Sequence, residues 1–137
     1  VRERLPVLAA ALWWGSLSAI GFMAVPLLFA HLPNPILAGN TAARLFEAQT
    51  WVSLAMGAAL LLLSRRRHAE QPEAWARTGL VLVVLGMLLA MLVQFGVAPR
   101  IVARQNLRLW HGVGSLMYMA QWLCALGVLL KVTGRRP

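Results

Sequence analysis

Apolar residues run on in four long stretches, separated by short segments that carry almost all the charge, and they do not alternate with polar ones. The stretches cover about 5–31, 41–64, 77–98 and 109–131. Each approaches or exceeds the ~20 helical residues that cross a hydrocarbon core of roughly 30 Å. Lipid offers no partner to backbone N–H and C=O groups, so runs of this kind satisfy their own groups as helices. The alternating, turn-rich pattern of a membrane barrel is absent. The first stretch is too long for a signal peptide alone and lacks a small-residue cleavage site. The pattern predicts one all-α domain over 1–137, an integral membrane four-helix bundle running up-down-up-down.

Composition supports lipid as the solvent. Hydrophobic residues make up 60% of the 137 positions and charged residues 12%, too little polar surface to cover a water-soluble core of this size. The net charge of +9 could suggest nucleic acid, but its placement does not. The basic residues cluster at the ends of the apolar runs beside tryptophans, as headgroup anchors do, and no nucleic-acid motif is present. A single cysteine, Cys124, excludes an intrachain disulfide and reads as a small apolar filler.

With four crossings, Arg2, Arg4, Arg65, Arg66, Arg67, Arg77, Lys131, Arg135 and Arg136 fall on one side of the membrane. Arg44, Arg100, Arg104 and Arg108 fall on the other. The excess of positive charge predicts that both termini are cytoplasmic. Arg65, Arg66 and Arg67 open an inner loop with a turn at Pro72, and they read as contacts to anionic lipid phosphates. Pro26 is expected to bend the first helix about one turn before its end. Pro33 and Pro35 are expected to break the chain, with Asn40 or Thr41 capping the second helix.

Under this topology several polar residues share one depth near the outer leaflet. Arg44 and Glu47 lie in the first two turns of the second helix, Gln94 near the end of the third, and His31 at the end of the first. His111, Ser115, Tyr118 and Gln121 are spaced as a stripe on the fourth. A carboxylate in a membrane is costly unless paired or protonated, so Glu47 is a candidate functional group. The blander reading pairs it with Arg44 three residues earlier. His31 and His111 are candidate metal ligands, although a structural hydrogen bond is the simpler role for either. The Gln121 stripe reads first as helix–helix glue, as do Gly15, Ser18, Gly86, Ala90, Gly112 and Ser115. Arg100, Arg104 and Arg108 recur every fourth residue. If their segment is helical they share one face, suited to lipid headgroups or another anion.

The chain has no phosphate-binding glycine loop, zinc-protease motif or nucleophile elbow. The segments "LWWGSLSAIGFMAVPLLFAHLPNPILAGNTAARLF", "FGVAPRI" and "LWHGVGSLMYM" nevertheless carry a likeness. They resemble the bacterial family of domains of unknown function numbered 4149, which is similar to the eukaryotic transmembrane protein 205 family. The resemblance implies a four-helix membrane protein. A more distant similarity, in "PLLFAH", is to the copper-resistance protein D group and the membrane protoporphyrinogen oxidases. It implies haem b as a candidate cofactor. Leu5 and Pro6 stand where those oxidases have a histidine, so oxidase activity is not expected.

Three readings follow. The first is a non-enzymatic packing or accessory protein, in a complex with other membrane subunits or as a homo-oligomer. The second is a transporter or tolerance protein for a metal ion or small solute, using His31, Glu47, Gln94 and His111. The third is a haem- or porphyrin-binding redox protein with His111 or His31 as axial ligand.

Overall fold

Prolines and an asparagine set where the helices begin and bend. In the computed structural model the backbone is described for residues 4–68 and 74–134, and it forms four long helices with no strand among the described residues. Helix α1 is Leu5–His31, α2 is Pro35–His68, α3 covers 74–102 and α4 is Leu107–Thr133. All four are long and apolar enough to cross a membrane. The expected Pro72 turn, the terminal residues Arg2, Arg135 and Arg136, and the side chains of Arg65, Arg66 and Arg67 lie outside the described residues.

The start of α2 differs from the sequence expectation. Helix α2 begins at Pro35, so Asn40 and Thr41 lie inside it and cap nothing. The cap is Asn34, whose Oδ1 accepts the Leu37 N–H at 2.7 Å. Proline suits the first helical position because its missing N–H would have no intrahelical partner there. Helix α1 stops at His31, where Leu32 turns extended (φ −78°, ψ 150°), and the chain re-enters a helix after three residues.

Helices α1 and α3 are not uniform. Each contains one wide π-type turn, Ile20–Ala24 in α1 and Val93–Val97 in α3. In both, a proline stands two residues beyond the turn, Pro26 and Pro99. Proline lacks the N–H that would bond the carbonyl four residues back, and its ring crowds that carbonyl. The ladder widens just upstream instead: the Val25 N–H bonds the Ile20 carbonyl, and the Ala98 N–H the Val93 carbonyl, five residues back in each case. The expected bend at Pro26 is thus a widened turn. Helix α3 continues past Pro99 to Val102 rather than ending at 98.

Ala9, Ala10, Trp13, Leu17, Leu60, Val83, Ala125 and Val128 form the core, with Trp13 completely buried. Glycines admit the large side chains. A Cβ on Gly86 would fall 2.6 Å from Cη2 of Trp13, and one on Gly57 would fall 2.5 Å from the Met87 side chain. Along α3 and α4 the contacts pair Leu82 with Gly127, Gly86 with Cys124 and Val97 with Gly114. Cys124 is buried there as the expected small filler. Between apolar helices in lipid the gain from such fitting is dispersion contact, since hydrocarbon surrounds both separated and packed states.

Burial is uneven along the helices. The stretches 18–31, 35–47, 91–102 and 107–120 contain only Ala38, Ala42 and Val97 as buried residues. We call this the open half, and the remainder, which holds the core, the packed half.

Candidate functional site

Four uncharged polar side chains meet inside the packed half. On α2, Gln49 and Ser53 stand four residues apart and so share a face, and both are buried. The Gln49 amide donates to Ser16 Oγ at 3.0 Å and to Ser53 Oγ at 3.2 Å. The Ser53 hydroxyl donates onward to Gln121 Oε1 at 2.7 Å, and the Trp13 indole N–H reaches the same oxygen at 3.4 Å. The Ser16 hydroxyl, in turn, donates to the Trp13 carbonyl at 2.9 Å. The chain of bonds ties α1, α2 and α4 together at one place. Each bond matters because a polar group buried without a partner costs its full desolvation.

A second junction lies at the boundary with the open half. The Tyr118 hydroxyl donates to the Leu17 carbonyl at 2.6 Å. The hydroxyl of α4 thus meets the backbone of α1 just before its widened turn, Ile20–Ala24. Only glycine fits beneath the ring, since a Cβ on Gly21 would sit 2.5 Å from Tyr118 Cε1. Phe46 packs edge-on against Tyr118, with ring centres 5.3 Å apart. Beside it, the Trp122 indole N–H donates to Ser18 Oγ at 2.8 Å, and Trp122 lies against Trp14 and Phe22, each with centres 5.7 Å away. The Trp14 indole nitrogen is buried and has no hydrogen-bond partner among the described residues.

The residues singled out from the sequence divide into two groups. Tyr118 and Gln121 sit at the two junctions. His31, Ser115 and His111 are exposed, Gln94 is half-buried within the α3 wide turn, and Glu47 pairs with Arg44 at 3.5 Å near the surface. No hydrogen bond among the described residues joins Glu47, Gln94 and His111. No group of three His, Cys, Asp or Glu suited to a metal ion occurs among the described residues either. The segment carrying Arg100, Arg104 and Arg108 is not one helix. Arg100 lies in the last turn of α3, Arg104 turns with φ 57°, and Arg108 lies in the first turn of α4. The Arg100 guanidinium lies 4.6 Å from the centre of the Trp110 ring.

A family model described as a domain of unknown function, DUF4149, matches residues 8–109. The chain belongs to the DUF4149 family. No curated protein and no solved structure matches it. The DUF4149 match takes in both wide turns, the Asn34–Pro35 cap and the α2 pair Gln49 and Ser53, while Tyr118 and Gln121 lie beyond its end.

Gln49, Ser53, Ser16 and Trp13 were not among the sequence candidates. The available signal was a glutamine and a serine four residues apart in a largely apolar helix, where unpaired polar groups are expensive. Uncharged residues draw less notice than Glu47, yet they are the buried ones here.

Proposed function

We propose that this chain is a non-enzymatic packing or accessory protein of the bacterial inner membrane. It crosses four times, up-down-up-down, with both termini cytoplasmic, and it docks its open half against other membrane helices, those of a partner subunit or of a second copy. The observation that carries the reading is the contrast among its glycines. Gly57, Gly86 and Gly127 in the packed half each face a side chain that a Cβ would strike. In the open half Gly21 and Gly114 meet Tyr118 and Val97, but Gly39, Gly96 and Gly112 face nothing within 4 Å, as does Gly15 near the boundary. A glycine inside a helix costs about 1 kcal/mol relative to alanine. Close approach of another helix is the usual return on that cost in a membrane, where small residues mark helix interfaces.

Two further features support the arrangement. The hydrogen bonds around Gln121 join its buried polar neighbours to one another, which suits the role of glue. Numbers rising along α3 meet numbers falling along α4, from Leu82–Gly127 to Val97–Gly114, in keeping with alternating crossings. The charge asymmetry about the apolar runs supports cytoplasmic termini.

Extraction in a mild detergent, followed by mass measurement of the intact particle, tests this reading. A stoichiometric second subunit or a homo-oligomer is expected. Gly96→Leu should release it while leaving the thermal transition of the chain unchanged, because the new side chain enters open space. A monomer from native membranes, in every mild detergent tried, contradicts the proposal.

A further inference from the structure

The connection between α3 and α4 concentrates positive charge, and no ion pair to it occurs among the described residues. The chain has four acidic residues, Glu3, Glu47, Glu70 and Glu73, and none lies in the sequence after position 73. Of these, Glu47 is engaged by Arg44. Arg100, Arg104 and Arg108 therefore bring three positive charges to one compact turn with no acid of its own. The turn is tightly made: the Ala103 N–H bonds the Pro99 carbonyl at 2.9 Å, the Gln105 N–H the Arg100 carbonyl at 3.0 Å, and the Trp110 N–H the Asn106 carbonyl at 3.1 Å. Arg104 and Asn106 take positive φ angles, of 57° and 33°, to close it. Asparagine visits that conformation but arginine resists it, and retained strain of this kind concentrates at sites that use the geometry. Arg100 is held in place by the Trp110 ring beneath it.

We infer that this turn binds the phosphodiester of an anionic phospholipid, with Arg100, Arg104 and Arg108 around the headgroup. Guanidinium forks match phosphate oxygens in pairs, and Arg100 on Trp110 is oriented before the ligand arrives. The position selects lipid over soluble phosphate. Residues 103–106 lie between the spans that end at Val102 and begin at Leu107, which is where a headgroup sits. Val102 and Leu109 flank the arginines with exposed apolar side chains that acyl chains would cover and a free anion would not. The site is independent of any docking by the open half, since it needs only the turn and a bilayer.

The test reconstitutes the full chain in nanodiscs of mixed phosphatidylglycerol and phosphatidylcholine, then measures by native mass spectrometry which lipids stay bound. Wild type should retain phosphatidylglycerol in preference to phosphatidylcholine. Each single substitution, Arg100→Gln, Arg104→Gln or Arg108→Gln, should lower that preference by about fivefold, the scale of one basic residue at a membrane surface. Arg44→Gln, whose arginine already has a carboxylate partner, should leave the preference nearly unchanged. Should a triple variant fail to fold, Arg104→Gln alone carries the test, because its side chain is exposed. Equal retention of both lipids by wild type overturns the inference, and so does unchanged preference in the variants. Displacement of the bound lipid by millimolar inorganic phosphate would also overturn it, in favour of a soluble-anion site.

Discussion

Gly86 and Gly96 lie ten residues apart on α3 and show how differently the two halves of the bundle are made. At Gly86 the backbone approaches so closely that the Trp13 ring occupies the place of a side chain, and Cys124 closes the far side. At Gly96 a side chain would meet nothing within 4 Å. Both residues sit in helix, and both weaken it by the same intrinsic amount. In the packed half that loss is offset by contacts to a fully buried indole. In the open half no contact within the chain offsets it. The widened turns before Pro26 and Pro99 stand near the boundary and arise from the same local chemistry. A single helix can thus serve the chain's own core along one half and leave a face for something else along the other.

Substitutions matched across the boundary would break or sharpen this contrast. The largest effect is expected at Trp13→Ala, which should lower stability by about 3–5 kcal/mol. Phe95→Ala, on an exposed ring of the open half, should cost under about 1 kcal/mol in the isolated chain. Reversible unfolding in mixed micelles measures both. Gly86→Ala should come next, at about 1–3 kcal/mol, because its methyl group overpacks against the Trp13 ring. Its counterpart Gly96→Ala should be neutral or slightly stabilising, through helix propensity. Gln121→Leu keeps the volume but strands the Ser53 hydroxyl and the Trp13 N–H. Thermal unfolding should show a loss of about 0.6–1.7 kcal/mol, the range of interhelical hydrogen bonds in membrane proteins. The smallest effect belongs to Glu47→Gln: with a 3.5 Å ion pair near the surface, the change should stay under about 0.5 kcal/mol.

Hydropathy alone made the four helices legible, because only a helix or closed barrel satisfies backbone groups in lipid and no barrel alternation was present. The helix starts were less so. Asn40 and Thr41 are good capping residues, but Asn34 followed by Pro35 is an equally good cap and comes first along the chain. The stripe from His111 to Gln121 illustrates another limit. Ten residues at about 100° each fall some 80° short of three full turns, so its ends point in different directions. Gln121 turns inward and His111 and Ser115 are exposed, whereas Tyr118, within about 20° of the direction of His111, is half-buried because it lies deeper along the helix. The buried set was half visible: Gln121 stood out beside titratable neighbours, whereas Gln49 and Ser53 carry no charge and sit among alanines and leucines. The bond from Tyr118 to the Leu17 carbonyl had no sequence signal, since it joins residues 101 positions apart.

The most direct test compares surfaces of equal exposure. Ile36 and Phe95 in the open half and Leu8 and Leu130 in the packed half are each 62% exposed within the isolated chain. A photocrosslinking amino acid placed at each position, activated in native membranes, reports what every surface touches. Protein crosslinks concentrated at Ile36 and Phe95, with lipid adducts at Leu8 and Leu130, are the predicted result. Equal yields at all four positions, or lipid adducts alone at Ile36 and Phe95, would contradict an open half that docks against other helices.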